Sequence, residues 1–302
     1  MRFLDNKTIS KSRQEALTSR LKPNIFLYIV LVVGTMFIGE VISLILLGLI
    51  FGFDFINKAS LLRSDIFNII SLNFRVFTLI ISLILAKKYL NRSNFSLGLR
   101  KENALRDYSQ GIIISFFQIG FVVLMAFVLN KASLRLNKSL NIKYLILFTL
   151  GWIIQGFCEE LICRSLFMNG FTAFFSVKSS ILFNALIFAA LHIGNDSVNL
   201  IALINLFLSG LAYSLLFYLK DSIWIVAGAH SFWNMIQGNI FGISVSGSPI
   251  IKASIFRTSL LGSDLITGGS FGIEASLLCT IVEVSLIITS LFLLKKKGLI
   301  KK

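Results

Sequence analysis

The chain has 302 residues, of which 56% are hydrophobic and 14% charged, and its mean hydropathy is +0.84. That leaves too little polar surface to cover a soluble globule, so the implied solvent is a membrane. A net charge of +15 is compatible with nucleic acid, but the Lys and Arg clusters flank apolar runs and hold no stacking aromatics, which points instead to anionic lipid headgroups.

Residues 1–23 are polar and basic (Arg2, Lys7, Lys11, Arg13, Arg20, Lys22), and Pro23 suits the first turn of the helix that follows. The first apolar run, about 24–53, is long enough to span with tilt and lacks the small-residue cleavage site of a signal peptide. It carries Glu40 near its middle. A polar link at about 54–65 leads to a second run, about 66–86, with Asn68, Asn73 and Arg75. Residues 87–107 form the longest basic loop. A third span covers about 108–130, and 131–143 is a second basic connector with Lys131, Arg135, Lys138 and Lys143. Further spans are expected at about 144–168, 179–193, 198–219 and 223–241. A Gly/Ser-rich loop with Pro249 precedes the last, at about 274–294.

The expected fold is therefore all-α: a polytopic integral membrane protein of about eight transmembrane helices, the fifth and seventh short. Four segments divide it: a basic cytoplasmic N-terminus (1–23), helices without a recognised motif (24–143), a motif-bearing core (144–294) and a basic tail (295–302). The basic clusters put both termini and the 87–107 loop on the cytoplasmic side of the cell membrane, as an even span count requires. The 131–143 segment disagrees with that rule. Either it is an interfacial amphipathic helix or the count is off by one. No internal repeat is visible. Cys158, Cys163 and Cys279 all fall in apolar runs, form no metal or disulfide spacing, and read as small core hydrophobes.

The fourth span contains Gly156-Phe157-Cys158-Glu159-Glu160-Leu161-Ile162-Cys163-Arg164. Each ionisable group near a bilayer centre costs about 2.5–3.5 kcal/mol on insertion scales, so the three need compensation. Glu160 and Arg164 stand four apart in the favourable order for a helical ion pair. Glu159 projects about 100° away, and nothing within the motif neutralises it, which suits a general base. The chain has only 2 histidines. His192 ends Phe188-x-x-x-His192, so Phe188 can pack beneath it, and His230 begins His230-x-x-x-Asn234, so both of that pair can point one way. Two imidazoles, an amide and a free carboxylate make a hydrolytic kit of one base and several donors for an oxyanion. Glu40, Arg75 and Glu283 read as inter-helix polar contacts or cavity lining. Asn184, Asn205 and Gln237 could line a cavity too, and Trp233 reads as packing.

Glu159-Glu160-x-x-x-Arg164, Phe188-x-x-x-His192 and His230-x-x-x-Asn234, each in its own apolar segment, resemble in order the three motifs of the CAAX-protease and bacteriocin-processing family, also called CPBP or Abi. The resemblance covers about residues 144–241. Thr267-Gly268-Gly269-Ser270-Phe271-Gly272-Ile273-Glu274 is also similar to a segment of bacterial members, many of which have proline where Ile273 stands. The resemblance implies a glutamate-type intramembrane endopeptidase. In it Glu159 would activate water with help from His192, His230 and Asn234 would form an oxyanion hole, and Glu160, Arg164 and Phe188 would support the site. The implied partner is a membrane-presented peptide or protein, prenylated in eukaryotic relatives, and no nucleic acid.

No cofactor is expected. Zinc remains the alternative, held by His192, His230 and either glutamate. A non-catalytic membrane scaffold or regulator is the competing reading of function. The Ile-, Lys-, Asn- and Leu-rich usage suggests an AT-rich bacterial genome, which favours peptide or leader processing, immunity or signalling over CAAX cleavage.

Overall fold

In the computed structural model, residues 11–18 and 24–300 are described. Pro23, the other basic residues of 1–10 and 19–23, and Lys301 and Lys302 lie outside the described residues. The chain order is α1 (Lys11–Thr18), α2 (Ile25–Phe51), α3 (Asp65–Tyr89), α4 (Ala104–Val128), β1 (Ala132–Leu136), α5 (Ile142–Phe171), α6 (Val177–Ala190), α7 (Leu200–Lys220), α8 (Ile223–Met235), β2 (Phe256–Leu260) and α9 (Leu277–Lys296). Of these, α2, α3, α4, α5, α7 and α9 are long and apolar enough to cross a membrane, and α6 is a shorter apolar helix. Each of the eight expected runs is helical, with α8 continued by a π-type turn at Ile236–Ile240.

Short polar residues set the helix starts. Asn24, Ser64, Asn141, Ser176, Asn199 and Ser276 each accept a backbone N–H from the first turn of the helix that follows, satisfying a donor that would otherwise be orphaned. At the other end of α9, Lys295 and Lys296 sit in the last turn, where the helix dipole favours cations.

The connecting loops gather on two faces. On the first, α1, the 90–103 loop, the 221–222 turn and the end of α9 meet. Ser12 donates from its backbone N–H to Asp221, Ile223 N–H donates to Gly98 O, Trp224 Nε1 donates to Arg100 O and Lys297 Nζ donates to Leu219 O. On the second, Asp65 accepts the backbone N–H groups of Lys252 and Ala253, Asn137 donates to Lys252 O and Ser254 O, and Asn195 donates to Ser246 O. The helices therefore run alternately between the two faces.

The 131–143 segment is not the interfacial helix that was one of the two expectations for it. Ala132–Leu136 is a strand, paired antiparallel with Phe256–Leu260 from Ala132↔Leu260 to Leu136↔Phe256, in a fold otherwise built of helices. The alternation Ser133-Leu134-Arg135-Leu136 has the two-residue period of a strand rather than the 3.6 of a helix.

Helix α8 packs against α4, α5 and α7 and so holds the middle of the core. Its contact with α5 depends on a missing side chain. A Cβ at Gly156 would lie 2.6 Å from Ser231 Oγ and 2.7 Å from Ser231 N, closer than real Cβ contacts allow. Small residues of this kind let helix backbones approach where lipid offers no hydrophobic drive. The three cysteines are free and buried, as expected.

Candidate active site

Glu159 and Glu160 lie at the end of the regular part of α5, just before a π-type stretch at Leu161–Met168, a distortion found disproportionately at functional sites. The two carboxylates face different surroundings. Glu160 and Arg164 are fully buried and 2.9 Å apart, Arg164 Nη1 donating to Glu160 Oε1, which is the pair their spacing predicted. The remaining guanidinium donors, Nε and Nη2, lack a hydrogen-bond partner. Instead Arg164 lies over the rings of Phe188 at 4.7 Å and Tyr213 at 5.5 Å, so aromatic faces take part of the load that water would carry.

Glu160 has a second partner that the sequence did not indicate. His230 Nδ1 is 2.8 Å from Glu160 Oε1. A carboxylate only accepts, so Nδ1 carries the proton and Nε2 is left directed away from Glu160. That nitrogen is 3.7 Å from Glu159 Oε2. Close packing at Gly156 and Ser231 sets this geometry, because it brings α8 to α5 within one side chain's reach.

Glu159 is not without partners either. Its Oε1 accepts from Gln155 Nε2 at 2.5 Å, and Gln155 Oε1 in turn accepts from Asn234 Nδ2 at 2.9 Å. Gln155 was missed in the sequence. Its position four residues before Glu159, on the same helix face, was the available signal. His192 lies just beyond the end of α6, where Nδ1 is 2.8 Å from Phe188 O. A carbonyl only accepts, so here too Nδ1 bears the proton and Nε2 is free. Phe188 packs against both imidazoles, with ring centroids 4.9 Å from His192 and 5.9 Å from His230.

Glu159, His192, His230 and Asn234 border one cavity of about 340 Å³. Its other walls come from unexpected places. Met36 of α2 and Asn68, Ser71 and Arg75 of α3 line it, although the helices of 24–143 carry no motif. Arg75 is held by Glu40 at 2.5 Å across the α2–α3 contact, so both are inter-helix contacts and Arg75 is cavity lining as well. The loop 243–251 closes the far side with Val245, Ser248 and Ile251. Glu274 fixes that loop, accepting from Ser246 N at 2.5 Å, Ser246 Oγ at 3.0 Å and Gln237 Nε2 at 3.1 Å. Burial pushes the Glu274 carboxyl above its ordinary range, and these hydrogen bonds oppose the shift.

Of the remaining polar residues, Asn205 donates to the carbonyls of Glu274 and Ser276, and Asn184 donates to Ser214. Glu283 is buried on α9, and Trp233 packs in an apolar cluster. Among the described residues no group of three His, Cys, Asp or Glu side chains is arranged to hold a metal ion. Glu160, one of the candidate ligands, is already engaged by Arg164 and His230.

Fold and site together define a helical polytopic membrane protein with a glutamate–histidine constellation in an intramembrane cavity. Residues 141–236 match the family model described as type II CAAX prenyl endopeptidase, Rce1-like, which bears out the CPBP resemblance. The matched segment runs from the N-cap of α5 into the turn that follows α8, and so holds all three motifs. It supports an intramembrane endopeptidase in general. No curated protein and no solved structure matches the chain.

Proposed function

We propose that this protein hydrolyses a peptide bond in a membrane-presented peptide or protein by a glutamate-activated water. The observation that carries the proposal is the convergence of Glu159, His192, His230 and Asn234 on one cavity from three different helical segments. Glu159 takes a proton from water, and the resulting hydroxide attacks the scissile carbonyl carbon. His230 serves the oxyanion. The Glu160 carboxylate on Nδ1 orients the ring so that, when Nε2 carries a proton, that N–H donates to the developing negative charge. The second N–H of Asn234 is available to the same oxygen. Collapse of the tetrahedral intermediate expels the amine, which receives the proton held by Glu159. His192, with a free Nε2 on the same cavity, orients the water. Gln155 holds Glu159 in line.

The test is cleavage by purified protein in proteoliposomes. Glu159→Gln is expected to lower the rate on the order of 10²–10⁴-fold, the usual share of a general base, while insertion and folding stay intact. His230→Ala is expected to cost about 10²–10³-fold, the range for one oxyanion donor. A Glu159→Gln protein that acts like wild type while Arg164→Ala does not would overturn the protease reading in favour of a non-catalytic scaffold. Activity is expected to survive exhaustive chelation. Inactivation that zinc reverses would assign the site to a metal instead.

Of the two substrate classes of the family resemblance, the Ile-, Lys-, Asn- and Leu-rich residue usage favours an unprenylated peptide or leader. Comparing a prenylated CAAX peptide with its unprenylated counterpart discriminates them.

A further inference from the structure

The cavity has a direction across the membrane. Its lining residues on α3, from Asn68 to Thr78, lie in the half of that helix that starts at the second face, and those on α5, from Phe148 to Ile162, run from the second-face half past the middle of the helix, so the cavity reaches from that face to mid-span. His192 and Asn195 lie at the α6 end that reaches the same face. Ser246, Ser248, Pro249 and Ile251, in the loop of that face, complete the rim. Ser248, Pro249 and Ile250 are solvent-exposed. No residue of the 90–103 loop, the 221–222 turn or α1 borders the cavity.

The two faces also differ in charge. The first, which gathers α1, the 90–103 loop and the end of α9, carries Lys87, Lys88, Arg92, Arg100, Lys101, Arg106 and the run Lys295 to Lys297, together with Arg13 of α1. The second has fewer Lys and Arg, among them Lys58, Arg63 and Lys252. Loops rich in Lys and Arg stay on the cytoplasmic side, and the residues flanking the first helix weigh most. The four basic residues of 131–143 oppose this bias. Arg135 is held in the β1–β2 ladder on the second face and the other three flank that strand, yet the first face is still the more basic.

We infer that the cavity opens on the extracytoplasmic face, opposite α1 and the end of α9, and admits a peptide segment presented from outside the cell or from the outer leaflet. The location of the mouth is independent of catalysis. The substrate class, an exported or secreted peptide rather than a lipidated tail at the cytoplasmic surface, rests on the protease reading above.

Cysteine accessibility in whole cells tests it. The three native cysteines are buried and are replaced by alanine. Single probes are then set at Ser248→Cys and Ser71→Cys on the cavity, Leu136→Cys on β1 and Leu105→Cys at the start of α4. A membrane-impermeant maleimide added to intact cells is expected to modify Ser248→Cys, Ser71→Cys and Leu136→Cys, but Leu105→Cys only after permeabilisation. Total thiol measured after denaturation normalises each variant, and an uninserted probe shows as loss from the membrane fraction. Labelling of Leu105→Cys alone in intact cells would overturn the inference, as would labelling of all four, which means mixed insertion. Exclusion of Ser71→Cys with Ser248→Cys labelled would overturn the outward mouth alone. The same pattern in a Glu159→Gln background keeps this outcome separate from any failure of the protease reading.

Discussion

Glu159 and Glu160 are adjacent in the chain, yet one helical step turns their carboxylates about 100° apart and gives them different chemistry. Glu160 is enclosed by Arg164 and His230, whereas the Glu159 side chain keeps 32% of its surface open to the cavity. Removing one partner of a buried ion pair leaves the other charge uncompensated at a typical cost of about 3–5 kcal/mol. Arg164→Ala is thus expected to lower the unfolding temperature of the detergent-solubilised protein sharply, and Glu159→Gln to leave it nearly unchanged, so thermal melts separate support from chemistry. The half of this arrangement set by helical spacing, Glu160 with Arg164, was legible in the sequence. The half that joins residues 70 positions apart, Glu160 with His230, was not. At the rim, Glu274 titrates above the ordinary carboxylate value of 4.5 because it is buried. A raised pKa means that the folded state holds the proton more tightly. Stability from this group is then full below the ordinary value and is lost as pH rises through the folded one. Glu274→Gln is expected to remove that part of the pH dependence of unfolding.

At the scale of elements, hydropathy runs located the eight apolar helices, though not the polar α1, to within a few residues, because a bilayer demands long apolar stretches whatever packs against them. The same reasoning failed at 131–143. Strand pairing depends on a partner more than a hundred residues downstream, and Lys and Arg there drew attention to side rather than to period. In that ladder Arg135 faces Arg257 directly, and like charges in that position are destabilising. Arg257→Glu is expected to gain about 0.2–1 kcal/mol, readable as slower exchange of the ladder amides. The α5–α8 contact makes the opposite kind of prediction. Valine at Gly156 would force Ser231 away, costing about 1–3 kcal/mol for overpacking and drawing His230 off Glu160. Cleavage by Gly156→Val is therefore expected to fall further than its unfolding temperature suggests.

Across the whole molecule, two quantities organise function: which helices meet at the cavity, and which face it opens on. The sequence by itself determined that this is a helical membrane protein, that three polar motifs stand in separate apolar segments, and that its basic clusters favour one orientation. These follow from composition, spacing within a helix and charge, all of which are local along the chain, and the chemistry proposed for the motifs rests on their convergence. Only the tertiary structure decided that Met36, Asn68 and Arg75 wall the cavity, that Gln155 bridges Glu159 to Asn234, and that Glu274 pins the rim loop. The physical reason is that these contacts join separate helices. The bilayer gives each span its length, but the close approach of small residues such as Gly156, and the need to satisfy buried polar groups, choose which spans meet.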